Sequence, residues 1–223
     1  MERLAHGVLR LGSNPRPITA IRRAAKAVAY AALALFLGYV AAVAVSETWD
    51  WSAFSEPMLI KLEQWPTVFR LHMITGGMAL LLAPLAIALR RTRWHRIAGW
   101  TTAADVAVAA ITAIPIALES PVTRAAAAGF SAQALVWLAM LGLGIWSIHR
   151  GRVAAHRICM LGLAAVTSGA LVFRLFLSLW SLFGDRASFR LFYSCDAWGA
   201  WLFPLAVTLA WLARERRVTA QSA

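Results

Sequence analysis

The sequence predicts an all-α polytopic membrane protein with six transmembrane helices and both termini in the cytoplasm. Three observations carry that prediction. Hydrophobic residues make up 61% of the chain and charged residues only 14%, too few to clothe a soluble domain. The apolar residues fall in runs of the ~20-residue length that crosses a ~30 Å hydrocarbon layer. The basic residues gather in short clusters between those runs instead of covering one face. The formal net charge of +12 therefore points to a bilayer with anionic headgroups and not to nucleic acid.

Residues 1–26 read as a basic cytoplasmic tail carrying Arg3, Arg10, Arg16, Arg22, Arg23 and Lys26. Leu4, Val8 and Leu11 share a helical face, which suggests a short surface helix, and Pro15 and Pro17 break it. The first span covers about 27–45. A signal peptide competes here, because Ala42-Val43-Ala44 resembles a cleavage site; the long tail and span-length run favour a retained helix. A polar connection follows over 46–67, with Trp49, Trp51, Trp65 and four acids. Within it Met58, Leu59 and Leu62 suggest a short helix lying flat as a lid.

Span two covers 68–89 and ends in the basic turn Arg90-Arg91-Thr92-Arg93-Trp94-His95-Arg96. Span three covers 97–118 and stops at Glu119 and Pro121. Span four covers 126–148, and a second basic turn, Arg150-Gly151-Arg152, leads to span five over 158–183. A connection with Asp185, Arg186 and Arg190 precedes span six over 192–213, and residues 214–223 form a second cytoplasmic tail. Residues 27–213 thus make one transmembrane domain between two tails.

With six spans, sixteen of the 22 Lys and Arg residues fall on one side of the membrane and five on the other, which places the termini and both basic turns in the cytoplasm. Trp94, Trp100, Trp146 and Trp211 mark the inner interface; Trp49, Trp51, Trp65 and Trp180 mark the outer one. The two basic turns suggest a duplicated hairpin, spans two and three matching four and five as a parallel repeat. Cys159 and Cys195 fall near opposite ends of their helices and are not expected to pair.

Ionisable groups inside spans are costly and usually face the bundle interior. Two constellations are expected. The outer one is His72, Arg174 and Asp196 with Tyr193 nearby; the inner one is His95, His149, His156 and Asp105. Arg174 and Asp196 read most simply as an ion pair, and Asp105 as a proton-relay group or a partner of Arg96 or His95. His156 and Arg174 are 18 residues apart and share a face with Met160 and Thr167, so one stripe of span five could join the two sites. Small residues also line up: His72, Gly76, Ala79 and Ala83 on span two, and Gly99, Ala103, Ala107 and Ala110 on span three. Close helix packing is the simple reading of these stripes, and a groove for a flat cofactor is the sharper one. Neutral imidazoles in a helical bundle can hold haem b, and His95 with His156 is the pair that could do so; the simpler reading is that they bind lipid phosphate beside Arg96 and Arg157.

His72-x-x-x-Gly76, His95-Arg96-x-x-Gly99, His156-Arg157-x-x-Met160 and the later Arg174 together resemble a family of uncharacterised bacterial integral membrane proteins. The resemblance runs from span two to span six. It implies a multi-helix membrane fold and draws attention to the three histidines, but it supplies no activity. The family pattern has a tryptophan before the methionine, where this chain has Cys159.

The resulting expectation is a multi-pass protein of the bacterial inner membrane with a redox role, holding haem b or a quinone among spans two to five. His72, His95 and His156 would be iron ligands or proton donors, and Arg174 the anchor of an acidic group. The alternatives are a non-catalytic subunit or assembly factor of a larger membrane complex, and a small-solute transporter using Asp105 and Arg174. No nucleophile elbow, P-loop or HExxH motif is present.

Overall fold

The computed structural model describes residues 17–46, 48–49, 56–120 and 122–221. The expected surface helix around Leu4, Val8 and Leu11 lies outside them. Among the described residues the chain is helical without strands. Its helices are α1 Pro17–Ser46, α2 Glu56–Gln64, α3 Pro66–Ala88, α4 His95–Leu118, α5 Arg124–His149, α6 Val153–Phe183 and α7 Phe189–Gln221. All except α2 contain a stretch long and apolar enough to cross a membrane. As spans they alternate in direction, so the start of α1, the two basic turns and the end of α7 share one side, here called the basic face. The polar connections lie on the opposite, acidic face.

Several boundaries differ from those expected, for local reasons. α1 begins at Pro17 and takes in Arg22 and Lys26, because a proline in the first helical turn loses no hydrogen bond. α6 begins at Val153, five residues early. Gly151 adopts φ 69°, a left-handed conformation that only glycine accepts readily, and this closes the basic turn in very few residues. α7 continues to Gln221 through the arginines expected to form a tail, since Arg and Glu are good helix formers and nothing interrupts them. Arg157 also holds this extension by an ion pair with Glu215 at 2.9 Å. Both groups are about half exposed, so the pair orients α7 more than it stabilises it.

α3 packs on α4, α4 on α5, α5 on α6, and α6 back on α3. The two hairpins thus close a four-helix ring in which α4 and α6 stand diagonally opposite. α7 fills the groove between α5 and α6, and α1 lies against α3. Small residues on α3 and α4 (Ala79, Ala83, Ala103, Ala109 and Ala110) are buried and bring these two helices together. Trp137, Leu141, Leu163, Val106 and Val166 fill the interior. The small-residue stripes are therefore packing surfaces for much of their length. Gly99 and Gly76 are exceptions: among the described residues a Cβ on Gly99 would meet nothing within 4 Å, and one on Gly76 only His72 of its own helix.

A short helix is present in the polar connection, α2 on the acidic face. Its Leu62 is buried with Ala44, Phe69 and Met73. At the same end Trp65 Nε1 donates to Glu119 Oε2 at 2.7 Å, tying the start of α3 to the end of α4. At the α1–α3 contact, a Cβ on Gly77 would lie 3.2 Å from Ala44 Cβ and 3.3 Å from the Ala41 carbonyl. Gly77→Ala is therefore expected to cost about 1 kcal/mol, the low end for overpacking. A lower thermal midpoint in detergent checks this; an unaltered midpoint would mean that α1 is not closely seated.

The interfacial tryptophans behave as expected on the basic face. Trp94, Trp100, Trp146 and Trp211 are all exposed, and arginines lie over three of them.

Candidate functional site

The three motif histidines make one and the same contact. Nδ1 of His72 lies 3.0 Å from the Ala109 carbonyl, that of His95 2.9 Å from Ala86, and that of His156 2.9 Å from Gly144. A carbonyl oxygen only accepts, so in each ring Nδ1 carries the hydrogen, and a neutral ring then has its lone pair on Nε2. Each bond joins the two helices of one hairpin: α3 to α4 twice, and α5 to α6 once. At His95 the local cause is plain. Ala86 is in the last turn of α3, Arg90 N bonds Ile87 O instead, and the ring donates to a carbonyl at a helix end.

His95 and His156 occupy equivalent places in the repeat. Each opens the second helix of its hairpin beside the basic face, and the two helices are diagonal in the ring. Counted at 1.5 Å per residue, both lie within ~5 Å of the basic end of their helices, whereas the bulky interior begins ~12 Å deep. On the four ring helices buried residues nearer that face include the small or polar Ala86, Thr102, Gly144 and Ser147, while Leu212 of α7, next to the Trp211 that lies under Arg157, is buried there too. His149 is exposed and stays apart.

The outer constellation does not assemble as expected. His72 is on α3, which packs on α1, α2, α4 and α6, while Asp196 is on α7, which packs on α5 and α6. Arg174 and Asp196 do not pair. Arg174 is exposed and donates from Nη1 to the Ala170 carbonyl at 3.2 Å, while both Asp196 oxygens are buried without a hydrogen-bond partner. The span-five stripe fails for a related reason. Contacts between α5 and α6 run from Met160 against Gly144, through Trp137 Nε1 donating to Thr167 at 3.0 Å, to Phe130 against Phe173. Those positions wind through about 140°, more than a third of a turn, round α6, so a straight stripe leaves the interface before Arg174. His156, Met160 and Thr167 line a packed interface and not an open path.

Asp105 does not pair with Arg96 or His95 either. Its Oδ2 is buried without a hydrogen-bond partner among the described residues, nearly three turns deeper than His95, and His95 is committed to Ala86. Cys159 and Cys195 are free.

Asp196 is the most enclosed of the ionisable candidates, at 4% exposure. One turn toward the acidic face on the same helix stands Tyr193, which belongs to a cluster of aromatic rings. Phe130, Phe173 and Tyr193 meet edge to face with centroids 5.2, 5.9 and 5.5 Å apart, and Phe189 lies 5.6 Å from Tyr193. Beyond them Trp180 stacks on Phe192 at 4.2 Å. Sequence reasoning singled out Tyr193 and Asp196 but missed Phe130 and Gln133, whose amide donates to the Val166 carbonyl at 3.2 Å. The signal was there: Phe130, Gln133 and Trp137 are spaced along one face of a helix.

Helices of this length and hydropathy, with a lipid-facing exterior and histidine-tied hairpins, define a multi-pass α-helical membrane protein. A family model described as "Predicted membrane protein (DUF2306)" matches residues 69–212. The chain belongs to that family, a family of membrane proteins of unknown function. Neither a curated protein nor a solved structure matches it.

Proposed function

We propose a redox role, with haem b held at the basic face between His95 and His156. The supporting observation is the shared tautomer: Nδ1–H of each ring is held by a carbonyl, which leaves Nε2 as the lone-pair nitrogen. That second contact is what usually fixes an iron-bound imidazole and raises its basicity. The donor set suits iron better than a quinone, because a quinone carbonyl needs a donor and neutral Nε2 only accepts. A quinol hydroxyl is the runner-up ligand, since it can donate to Nε2.

When bound, haem b supplies a one-electron couple. The chain's own residues do the rest. His95 and His156 offer Nε2, and the Ala86 and Gly144 carbonyls orient the rings. Arg96 and Arg157, adjacent in sequence, would meet acidic groups at the interface, and Arg174 would serve an acid near the opposite face. The bacterial inner membrane, with the basic face cytoplasmic, is part of the same reading.

Absorption spectra of detergent-purified protein, oxidised and then reduced, test this. A Soret band that shifts on reduction and disappears in both His95→Ala and His156→Ala is the expected result. Protein that carries no haem and takes up none on addition would overturn it. The short connections between most of the spans favour a second reading, a subunit of a larger membrane complex, which predicts co-purification with that complex.

A further inference from the structure

We propose that Asp196 is a proton-binding site that exchanges with the acidic face through its aromatic cover. The carboxyl lies about 10 Å along α7 from Phe189, counted at the helical rise. It is 4% exposed, yet neither oxygen has a hydrogen-bond partner among the described residues. An ionised carboxylate in such a place needs a counter-charge or several donors. The elements packed there supply neither.

On α7 itself the ionisable neighbours are Tyr193, one turn away, Cys195, which is exposed, and Arg190, which is exposed near the helix start. On α6 the charged group at this level is Arg174, exposed, with Nη1 on Ala170 O. α5 presents Gln133, whose amide goes to Val166 O, and Arg124, exposed at its first residue. None of these bonds Asp196. An inorganic cation would want several oxygen ligands. The cover consists of rings, and no group of three or more His, Cys, Asp or Glu side chains arranged to hold a metal exists among the described residues. The proton is the one cation that a single carboxyl can bind alone, and intramembrane carboxyls of this kind recur in proton relays.

The aromatic cover sets the direction of exchange. Tyr193 stands one turn from Asp196 toward the acidic face, its ring packed edge to face on Phe130 and Phe173, while on the other side Trp201 and the interior core pack α7 against α5 and α6. The Tyr193 ring, one turn above the carboxyl, is the piece whose movement would admit water.

A lipid-soluble carbodiimide tests the site, because it reacts with carboxyls that carry a proton in a nonpolar setting. The acid adds across one C=N bond: its oxygen bonds the central carbon and its proton moves to nitrogen, so the whole reagent mass is gained and nothing leaves. The expected result is an adduct on the Asp196 peptide of folded protein, lost in Asp196→Asn, kept in Asp196→Glu and formed faster in Tyr193→Ala. A protonated-carboxyl infrared band that disappears in Asp196→Asn is the second expected signal. No adduct at Asp196 in folded protein that does label once unfolded would overturn the proposal, as would a band unaffected by Asp196→Asn. Neither readout depends on a haem, so this inference and the redox reading fail separately.

Discussion

Gly169→Val is expected to lower stability by about 3 kcal/mol, the upper end for overpacking a close-packed interior. A Cβ at Gly169 would lie 2.8 Å from Trp201 Cβ and 3.0 Å from both Trp201 Cα and Gln133 Nε2. The Trp201 backbone cannot rotate away as a side-chain tip can, so α7 must move off α6. That displacement also pulls on the Gln133 bond to Val166. Thermal midpoints in one detergent measure the effect. Retention of the native midpoint would mean that α6 and α7 do not approach this closely, and the enclosure of Asp196 would fall with that contact.

Asp196→Leu is expected to act in the opposite direction. A buried carboxyl without partners is a standing cost, and an apolar side chain of similar bulk removes it, for a gain of about 1–3 kcal/mol. The carbodiimide adduct would vanish in the same variant. A stabler protein without its proton site is the pattern expected when a group is kept for function at the expense of stability. Asp196→Asn guards against a steric artefact, since it preserves shape. If both variants melted below the parent, Asp196 would have a partner in the folded protein.

Much of the fold was legible because lipid imposes it. A run of about 20 apolar residues has few choices other than a spanning helix, so the six spans and the short helix between the first two could be read directly. Helix ends were less legible. The left-handed Gly151 brought α6 forward, and the absence of any breaker carried α7 to Gln221. The histidines were legible as interesting positions but not in their role. Nothing in His95-Arg96 or His156-Arg157 foretold that both rings would donate to a carbonyl of the preceding helix.

The chain by itself determined that this is an all-α membrane protein with six spanning helices, and roughly where each of them falls. Those properties depend on hydropathy and on spacing along single helices, which are local. Only the tertiary structure decided that Arg174 and Asp196 stand apart, that the span-five stripe is buried in packing, and that one carboxyl is enclosed alone beneath a ring cluster. Those outcomes depend on how far each helix winds round its neighbour and on where glycines such as Gly169 let backbones approach, and such crossing geometry is a property of helix pairs that no single helix encodes.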